Sequence, residues 1–301
     1  MINKLRSLLL IFSFTLITCS VWAQNKILVL QSDFGIKDGA VSAMKGVASG
    51  VASDLKIYDL THEIPAYNIW EASYRLMQTV QYWPVGTVFV SVVDPGVGTA
   101  RKSVVLKTKT GQFIVTPDNG TLTLIAETLG IEEVRQIDEF INRRRGSEKS
   151  YTFHGRDVYA FTGARLASGV INFSQVGPLL PPNIVRIHYQ QPSFSHGTLE
   201  GNIPILDVQY GNIWTNINDS VFNLIRPEFA KMLHFTIYHN LKPIFEGDAP
   251  YSHSFGDVGK GKPLAYLNSL LQLSFALNQG DFAKTYHIGT GSDWSVKVTR
   301  K

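Results

Sequence analysis

Two hydrophobic rhythms alternate along the first 170 positions. Short apolar runs end on polar or acidic residues, and stretches with apolar residues three and four apart follow them. Lys26-Ile-Leu-Val-Leu-Gln-Ser-Asp33 predicts a buried strand that ends on a carboxylate. Residues 41–51 place Met44, Val47 and Val51 at helical spacing, and 55–61 predict a second strand. Residues 68–82 predict an amphipathic helix with Ile69, Ala72, Leu76 and Val80 on one face and Asn68 as its cap. Residues 88–94 form a third strand. Residues 103–107 and 112–116 form two more, joined by the turn Lys109-Thr-Gly111. Helices follow over 121–129 and 156–166, the second with Gly169 just beyond its end. This alternation predicts a mostly parallel sheet flanked by helices on both faces.

The rhythm breaks at Gly177-Pro-Leu-Leu-Pro-Pro182, which can continue neither a helix nor a central strand. Beyond it, short runs at 198–208, 234–238, 264–268, 271–277 and 294–299 are separated by glycines and prolines. They predict a smaller all-β domain, barrel-like or a sandwich. The fold class is therefore α/β, with an N-terminal α/β domain over 24–184 and a C-terminal β domain over 185–301. No internal repeat or low-complexity segment interrupts it.

Residues 1–23 have a different character. Lys4 and Arg6 precede an apolar stretch, 8–18, too short to span a bilayer, and Val21-Trp-Ala23 offers a small residue before a cut ahead of Gln24. This predicts a signal peptide and an exported protein, periplasmic or secreted. The single cysteine, Cys19, lies inside the segment, so lipidation there is one alternative and retention of the segment as an anchor is another. After cleavage the chain holds no cysteine and can form no internal disulfide. The mature chain has no run long enough to span a membrane. It is 44% hydrophobic and 17% charged, enough to bury a real core. Without Lys4 and Arg6, 26 basic residues face 24 acidic ones, which points to no nucleic-acid partner. Arg143-Arg-Arg145, beside Gly146-Ser147, is expected to be a solvated loop.

The candidate chemistry gathers at strand ends. Asp94 closes the third strand, Pro95-Gly-Val-Gly98 turns at once, and Arg101 stands seven residues after Asp94, so the two can face each other across one turn. The turn lacks the lysine of a phosphate loop, and its glycine spacing misses the dinucleotide fingerprint. Asp33, at the end of the first strand, can accept both hydroxyls of a ribose or simply form its turn. Thr152-Phe-His-Gly-Arg-Asp157 places His154 just before a helix, and imidazole is the side chain most ready to move a proton near neutrality. His62 is expected to be structural. Asn119, in Thr116-Pro-Asp-Asn-Gly120, sits in a turn that either presents it to a ligand or merely enters a helix. Tyr210-Gly-Asn-Ile-Trp-Thr-Asn216 combines rings and an amide suited to a flat purine, with core packing of Trp214 as the bland alternative. Without cysteine or paired histidine spacing, no metal site is predicted.

Eight separated motifs, read in order, resemble one family. They are Ser32-Asp-Phe-Gly35, Met44-Lys-Gly46, Thr61-His-Glu63, Val93-Asp-Pro-Gly-Val-Gly98, Pro117-Asp-Asn-Gly120, Thr152-Phe-His-Gly-Arg-Asp157, Gly211-Asn-Ile-Trp-Thr-Asn216 and Asn278-Gln-Gly280. They resemble the S-adenosylmethionine hydroxide adenosyltransferases, relatives of the fluorinating and chlorinating enzymes, over nearly the whole mature chain. The resemblance implies hydrolysis of S-adenosylmethionine to adenosine and methionine, with no metal or cofactor. It also implies a homotrimer whose sites lie between the N-terminal domain of one subunit and the C-terminal domain of the next. The family's Asp-Arg-His triad falls on Asp94, Arg101 and His154. Its ribose-binding carboxylate falls on Asp33, and its adenine segment on Tyr210, Asn212 and Trp214. Asp38 falls near the methionine amino group, and Asn268 and Ser269 on the segment closing over that end.

The resemblance leaves alternatives. A 5′-halogenase is one, but fluorinating members have Tyr-Ser where this chain has His154-Gly155, and an insertion around 107–112 where this chain has a short turn. A catalytically inactive exported adenosine-binding protein is another. Related chains usually have glycine after Asn-Ser-x where this chain has Leu271, a change expected to reshape the methionine end. Export separates the protein from the cytoplasm, where S-adenosylmethionine is made, and so bears on its natural substrate.

Overall fold

A computed structural model describes residues 25–301 of the protein; the segment expected to be a signal peptide, with Cys19, lies outside the described residues. The N-terminal part runs β1 (Ile27–Ser32), α1 (Ala40–Val51), β2 (Lys56–Thr61), α2 (Ile69–Val80), β3 (Val88–Val92), β4 (Ser103–Thr108), β5 (Phe113–Pro117), α3 (Thr123–Thr128) and β6 (Ile131–Gln136). A π-helical turn (Gly155–Ala160) then leads into α4 (Phe161–Ser168), and β7 (Leu179–Leu180) follows. One seven-stranded sheet results, in the order β2-β1-β3-β5-β4-β6-β7. It is parallel from β2 to β5 and antiparallel beyond, because the short turn between β4 and β5 makes a hairpin.

Strand alternation decides which helix covers which face. Leu28 and Leu30 of β1 and Val88 and Val90 of β3 point to one face, against Met44 and Ala48 of α1 and Ala164 and Ala167 of α4. Val29 and Phe89 point to the other, against Leu76 and Val80 of α2 and Ile125 of α3. Asn68 caps α2 as expected, its side chain accepting from the Glu71 amide at 3.0 Å. The edge strand β6 was not legible: in Ile131-Glu-Glu-Val-Arg-Gln136 only Val134 is buried, and the pattern is that of a polar loop.

The C-terminal part is all-β apart from two short α-helices and two single 3-10 turns, Asn223–Ile225 and Phe255–Asp257. It comprises β8 (Ser193–Ser195), β9 (Thr198–Asn202), β10 (Ile205–Asp207), β11 (Asn212–Asn218), α5 (Asp219–Phe222), β12 (Met232–His239), β13 (Lys242–Pro250), β14 (Pro263–Leu267), β15 (Gln272–Leu277), α6 (Phe282–Tyr286) and β16 (Trp294–Arg300). Two antiparallel sheets, β10-β11-β15-β14 and β13-β12-β16-β9-β8, enclose one apolar core. Phe235 and Phe275 stack across that core at 4.0 Å. Of the two architectures expected, this is the sandwich, joined along one edge by a bridge between Tyr251 and Ala265. The run 198–208 divides into two strands at Pro204, which cannot donate to a ladder.

The two parts meet along α2. Trp70 and Tyr74 pack with Leu124 and Ile205, and the Trp70 indole donates to the Pro204 carbonyl at 2.9 Å. A second anchor ties the segment after β6 to the helical turn. Asp157 is fully buried and accepts from Arg144 Nε at 2.9 Å and from Arg156 Nε and Nη2 at 2.8 and 2.7 Å. Burial pushes its pKa up, but the hydrogen bonds and charges of Arg156 and Arg144 outweigh burial and hold it below its ordinary value of 3.8. A carboxylate whose pKa is depressed by folding contributes stability above its unfolded value, and that contribution is lost as pH falls through the folded value. Urea denaturation should therefore show stability falling below about pH 4, with a shallower fall in Asp157→Asn. At neutral pH the same variant should be less stable by about 2–3 kcal/mol, since two guanidinium partners lose their anion.

Candidate active site

The site is built at the exit of β3. Val93 is buried and Asp94 follows it. The chain then turns on hydrogen bonds from the Val97 amide to the Asp94 carbonyl and from the Thr99 amide to the Gly96 carbonyl, at 3.2 and 3.1 Å. Gly98 lies at φ +77°, a conformation glycine adopts without penalty. Gly96 leaves room for the returning arginine, since a Cβ there would stand 3.2 Å from Arg101 Cγ. The turn thereby delivers Arg101 against Asp94. Its Nε lies 3.0 and 3.1 Å from the two carboxylate oxygens and its Nη2 lies 2.7 Å from Oδ2. The side chains are only 10% and 5% exposed. Burial opposes the charge on Arg101, but hydrogen bonding to Asp94 outweighs it, and the guanidinium is held even more firmly protonated than usual.

His154, at the start of the π-helical turn, reaches the same arginine. Arg101 Nη2 donates to its Nδ1 at 2.8 Å. Arg101 Nη1 donates to Ser103 Oγ at 3.0 Å, and that hydroxyl donates to Glu139 at 3.1 Å. The buried Tyr159 hydroxyl lies 3.2 Å from Ser103 Oγ and 3.4 Å from Asp94 Oδ2. Burial and the nearby Asp94 charge raise its pKa, so it stays a phenol. Glu139 pairs with Arg143, whose Nη2 is 3.0 Å from His154 Nε2. Arg143 is thus not the solvated residue expected of Arg143-Arg-Arg145: its side chain is 9% exposed and faces the site. Arg144 is committed to Asp157 as well. Glu139, Arg143, Ser103 and Tyr159 were missed because nothing in the local pattern distinguishes them. Only the spacing of Glu139 and Arg143, four apart, hinted at a pair.

A cavity of about 270 Å³ opens over this network, lined by Asp33, Phe34, Tyr67, Asp94, Phe153 and His154 among others. Asp33 Oδ2 accepts from the Tyr67 amide at 2.9 Å, so this carboxylate shares the cavity with Asp94. His62 is structural, bridging Ser32 Oγ at 2.7 Å and Asp59 at 3.0 Å beneath the Asp33 turn. Asn119 works from behind. Its Nδ2 donates to the Val93 carbonyl at 2.9 Å and its Oδ1 accepts from Thr121, so it braces the residue before Asp94 rather than facing the cavity. Asp38 is exposed, accepts from the Ala40 amide at 2.8 Å and stands apart from the cluster.

The C-terminal candidates form a second cavity of about 680 Å³, lined by Tyr210, Asn212, Trp214, Tyr266, Asn268 and Ser269 among others. Asn212 is buried and its amide is 3.2 Å from Asp207. Asn268 holds the β14–β15 turn, accepting from the Leu270 and Gln272 amides at 2.8 and 3.1 Å. Burial pushes the Tyr266 phenol up to about 12. Among the described residues the two cavities share no lining side chain.

Residues 28–177 match the model of the SAM hydroxide adenosyltransferase N-terminal domain, and residues 201–295 match that of its C-terminal domain. The chain belongs to the SAM hydroxide adenosyltransferase family. It is 38% identical over 204 residues to an (R)-S-adenosyl-L-methionine hydrolase of Methanocaldococcus jannaschii, covering 66% of this chain and 73% of the relative. A protein of the same name from Salinispora tropica is 34% identical over 265 residues, 86% of this chain and 93% of the relative. A fluorinase of an Actinoplanes species is 29% identical over 301 residues, 92% and 98% of the two chains. A crystal structure of an uncharacterized conserved protein from Thermotoga maritima superposes with a TM-score of 0.82 at 33% identity, covering 91% of this chain and all of that one.

Leu271 has a backbone consequence. It is half exposed, does not line the 680 Å³ cavity, and sits at φ +56°, in the left-handed region. A leucine there carries strain of about 1–2 kcal/mol. Leu271→Gly should therefore stabilise the fold by about 0.5–1 kcal/mol after the entropic cost of glycine, raising the urea midpoint without changing the slope.

Proposed function

We propose that the protein hydrolyses S-adenosylmethionine to adenosine and methionine, by attack of water on the ribose C5′. The Asp94–Arg101–His154 network bordering a cavity that also contains Asp33 is the observation that carries this reading. The sulfonium leaves as a neutral thioether, taking the electrons of the C5′–S bond, so no acid is needed at the leaving group. What the reaction requires is an oriented water and an acceptor for its proton. Asp94 is that acceptor: among the described residues its Oδ1 meets Arg101 Nε alone, and so keeps lone-pair capacity at the cavity it lines. Arg101 fixes the carboxylate, and His154, as the neutral acceptor of Arg101 Nη2, fixes Arg101. Asp33 is assigned to the ribose hydroxyls. Tyr210, Asn212 and Trp214 are assigned to the adenine, and Asp38, Asn268 and Ser269 to the methionine end.

We further infer a homotrimer, because the ribose and adenine candidates line separate cavities within one chain. Apposition of two subunits joins one cavity of each kind. The signal-like segment supports export, so the physiological substrate is S-adenosylmethionine reaching that compartment or another 5′-substituted adenosine.

The fluorinase relatives keep 5′-halogenation as the second reading. Against it, a Cβ on Gly155 would lie 3.0 Å from the Phe34 ring and 3.2 Å from Val92 Cγ1, so a serine there requires Phe34 to move. Incubation of the mature chain with S-adenosylmethionine should yield adenosine and methionine by chromatography, and added chloride should yield no 5′-chloro product. Asp94→Asn should turn over about 10²-fold more slowly or worse. A folded protein that produces no adenosine, or an Asp94→Asn variant with full activity, contradicts the reading. Mixing inactive Asp94→Asn and Trp214→Ala subunits should restore part of the activity if the sites are shared between subunits, and none if each chain is self-sufficient.

A further inference from the structure

His154 is enclosed by two guanidinium groups, one at each ring nitrogen. Arg101 Nη2 stands 2.8 Å from Nδ1 and Arg143 Nη2 stands 3.0 Å from Nε2. A guanidinium has donors only, and a neutral imidazole has one lone pair and one N–H. The two arginines therefore compete for a single acceptor, and an imidazolium, with no lone pair, satisfies neither. Arg143 is not loosely placed. It is 9% exposed, pairs with Glu139, donates through Nη1 to the Ser150 carbonyl at 3.3 Å, and lies 5.8 Å over the Tyr151 ring. Glu139 in turn accepts from Ser103, which accepts from Arg101. The contacts close a ring: Arg101, His154, Arg143, Glu139, Ser103 and back to Arg101.

We propose that Arg143, held by Glu139, is a positioning residue of this site: its cation beside Nε2 keeps the imidazole of His154 neutral, so that the ring never becomes a third cation pushing Arg101 off Asp94. The claim rests on the hydrolase reading for its effect on turnover, but not for its effect on His154. Arg143 does not line the 270 Å³ cavity, so it acts through His154 rather than on substrate. The charged and titratable groups facing the imidazole are Asp94 at the exit of β3, Arg101 before β4, and Glu139 and Arg143 after β6. Burial lowers the His154 pKa most. Arg101 and Arg143 lower it further, and Glu139 and Asp94 act in the opposite sense. The folded pKa thus lies below the usual histidine value, and the neutral ring is lost only as pH falls through it.

The test is nitrogen-detected NMR titration of the eight histidines, with the His154 signal identified by its loss in His154→Gln. Arg143→Gln should raise the His154 midpoint by about one pH unit, because a cation is replaced by an amide that can also accept. Arg143→Lys should shift it by less than half as much, and Glu139→Gln should shift it down. A packing defect alone would not produce opposite signs. In the turnover assay, Arg143→Gln should lower kcat by up to about 10-fold on the acid limb with KM within about 2-fold, that limb moving up with the NMR midpoint, and Arg143→Lys should recover most of kcat. An unchanged His154 midpoint in a folded Arg143→Gln variant overturns the proposal, as does a rise in KM at constant kcat. A wild-type chain that does not hydrolyse S-adenosylmethionine overturns the hydrolase reading instead, and the NMR arm still decides the role of Arg143.

Discussion

The forked hydrogen bonding between Arg101 and Asp94 is the constraint on which the rest of the site depends. A carboxylate at the end of a buried strand has few ways to remain ionised and still. Here one guanidinium meets both of its oxygens, with Nε and Nη2 engaged, and leaves one oxygen with capacity toward the cavity. The pair is largely desolvated, so its net contribution to stability is small against what hydrophobic side chains of the same size would give. Its value is geometric. A lysine could neutralise Asp94 but could not reach two oxygens, His154 and Ser103 at once.

The surrounding fold is arranged to hold that fork. Parallel strands β1 and β3 end side by side, which brings Asp33 and Asp94 to one cavity. Asn119 braces the Val93 carbonyl, and the turn through Gly96 and Gly98 returns Arg101 at the required distance. His154 precedes a π-helical turn rather than a regular α-helix, and such widened turns concentrate at functional sites. The buried Asp157 in that turn pins Arg144, and with it the segment that carries Glu139 and Arg143 toward the imidazole. The sandwich contributes a second surface, suited by Tyr210, Asn212 and Trp214 to a flat base, without sharing a lining residue with the first.

Much of this was legible in the sequence, for identifiable reasons. The central strands β1 and β3 are continuous apolar runs, and α2 carries its cap and its stripe, so local pattern and tertiary burial agree there. Asp94 and Arg101 were legible because one tight turn fixes their separation. The edge strands β6 and β13 were not, since a strand with most of its side chains in solvent has no apolar signature. Arg143 reads differently in sequence and structure for a related reason: three arginines beside Gly146 have the pattern of a solvated run, and only the fold shows that Arg143 faces the buried His154 and Arg144 the buried Asp157. Asn119 and Leu271 show a further limit. The sequence marks a turn residue, but only backbone geometry tells whether it faces a ligand, braces a strand end or carries strain.

A water activated by Asp94 would become the 5′ oxygen of the nucleoside. Reaction of the protein with S-adenosylmethionine in heavy-oxygen water, followed by mass spectrometry of both products, decides whether it does. Attack of water at C5′ gives adenosine carrying one heavy oxygen on the ribose C5′ and methionine carrying none. Unlabelled adenosine would show that water is not the nucleophile. Methylthioadenosine accompanied by labelled homoserine would place the attack on the wrong carbon of the sulfonium and contradict the role assigned to Asp94.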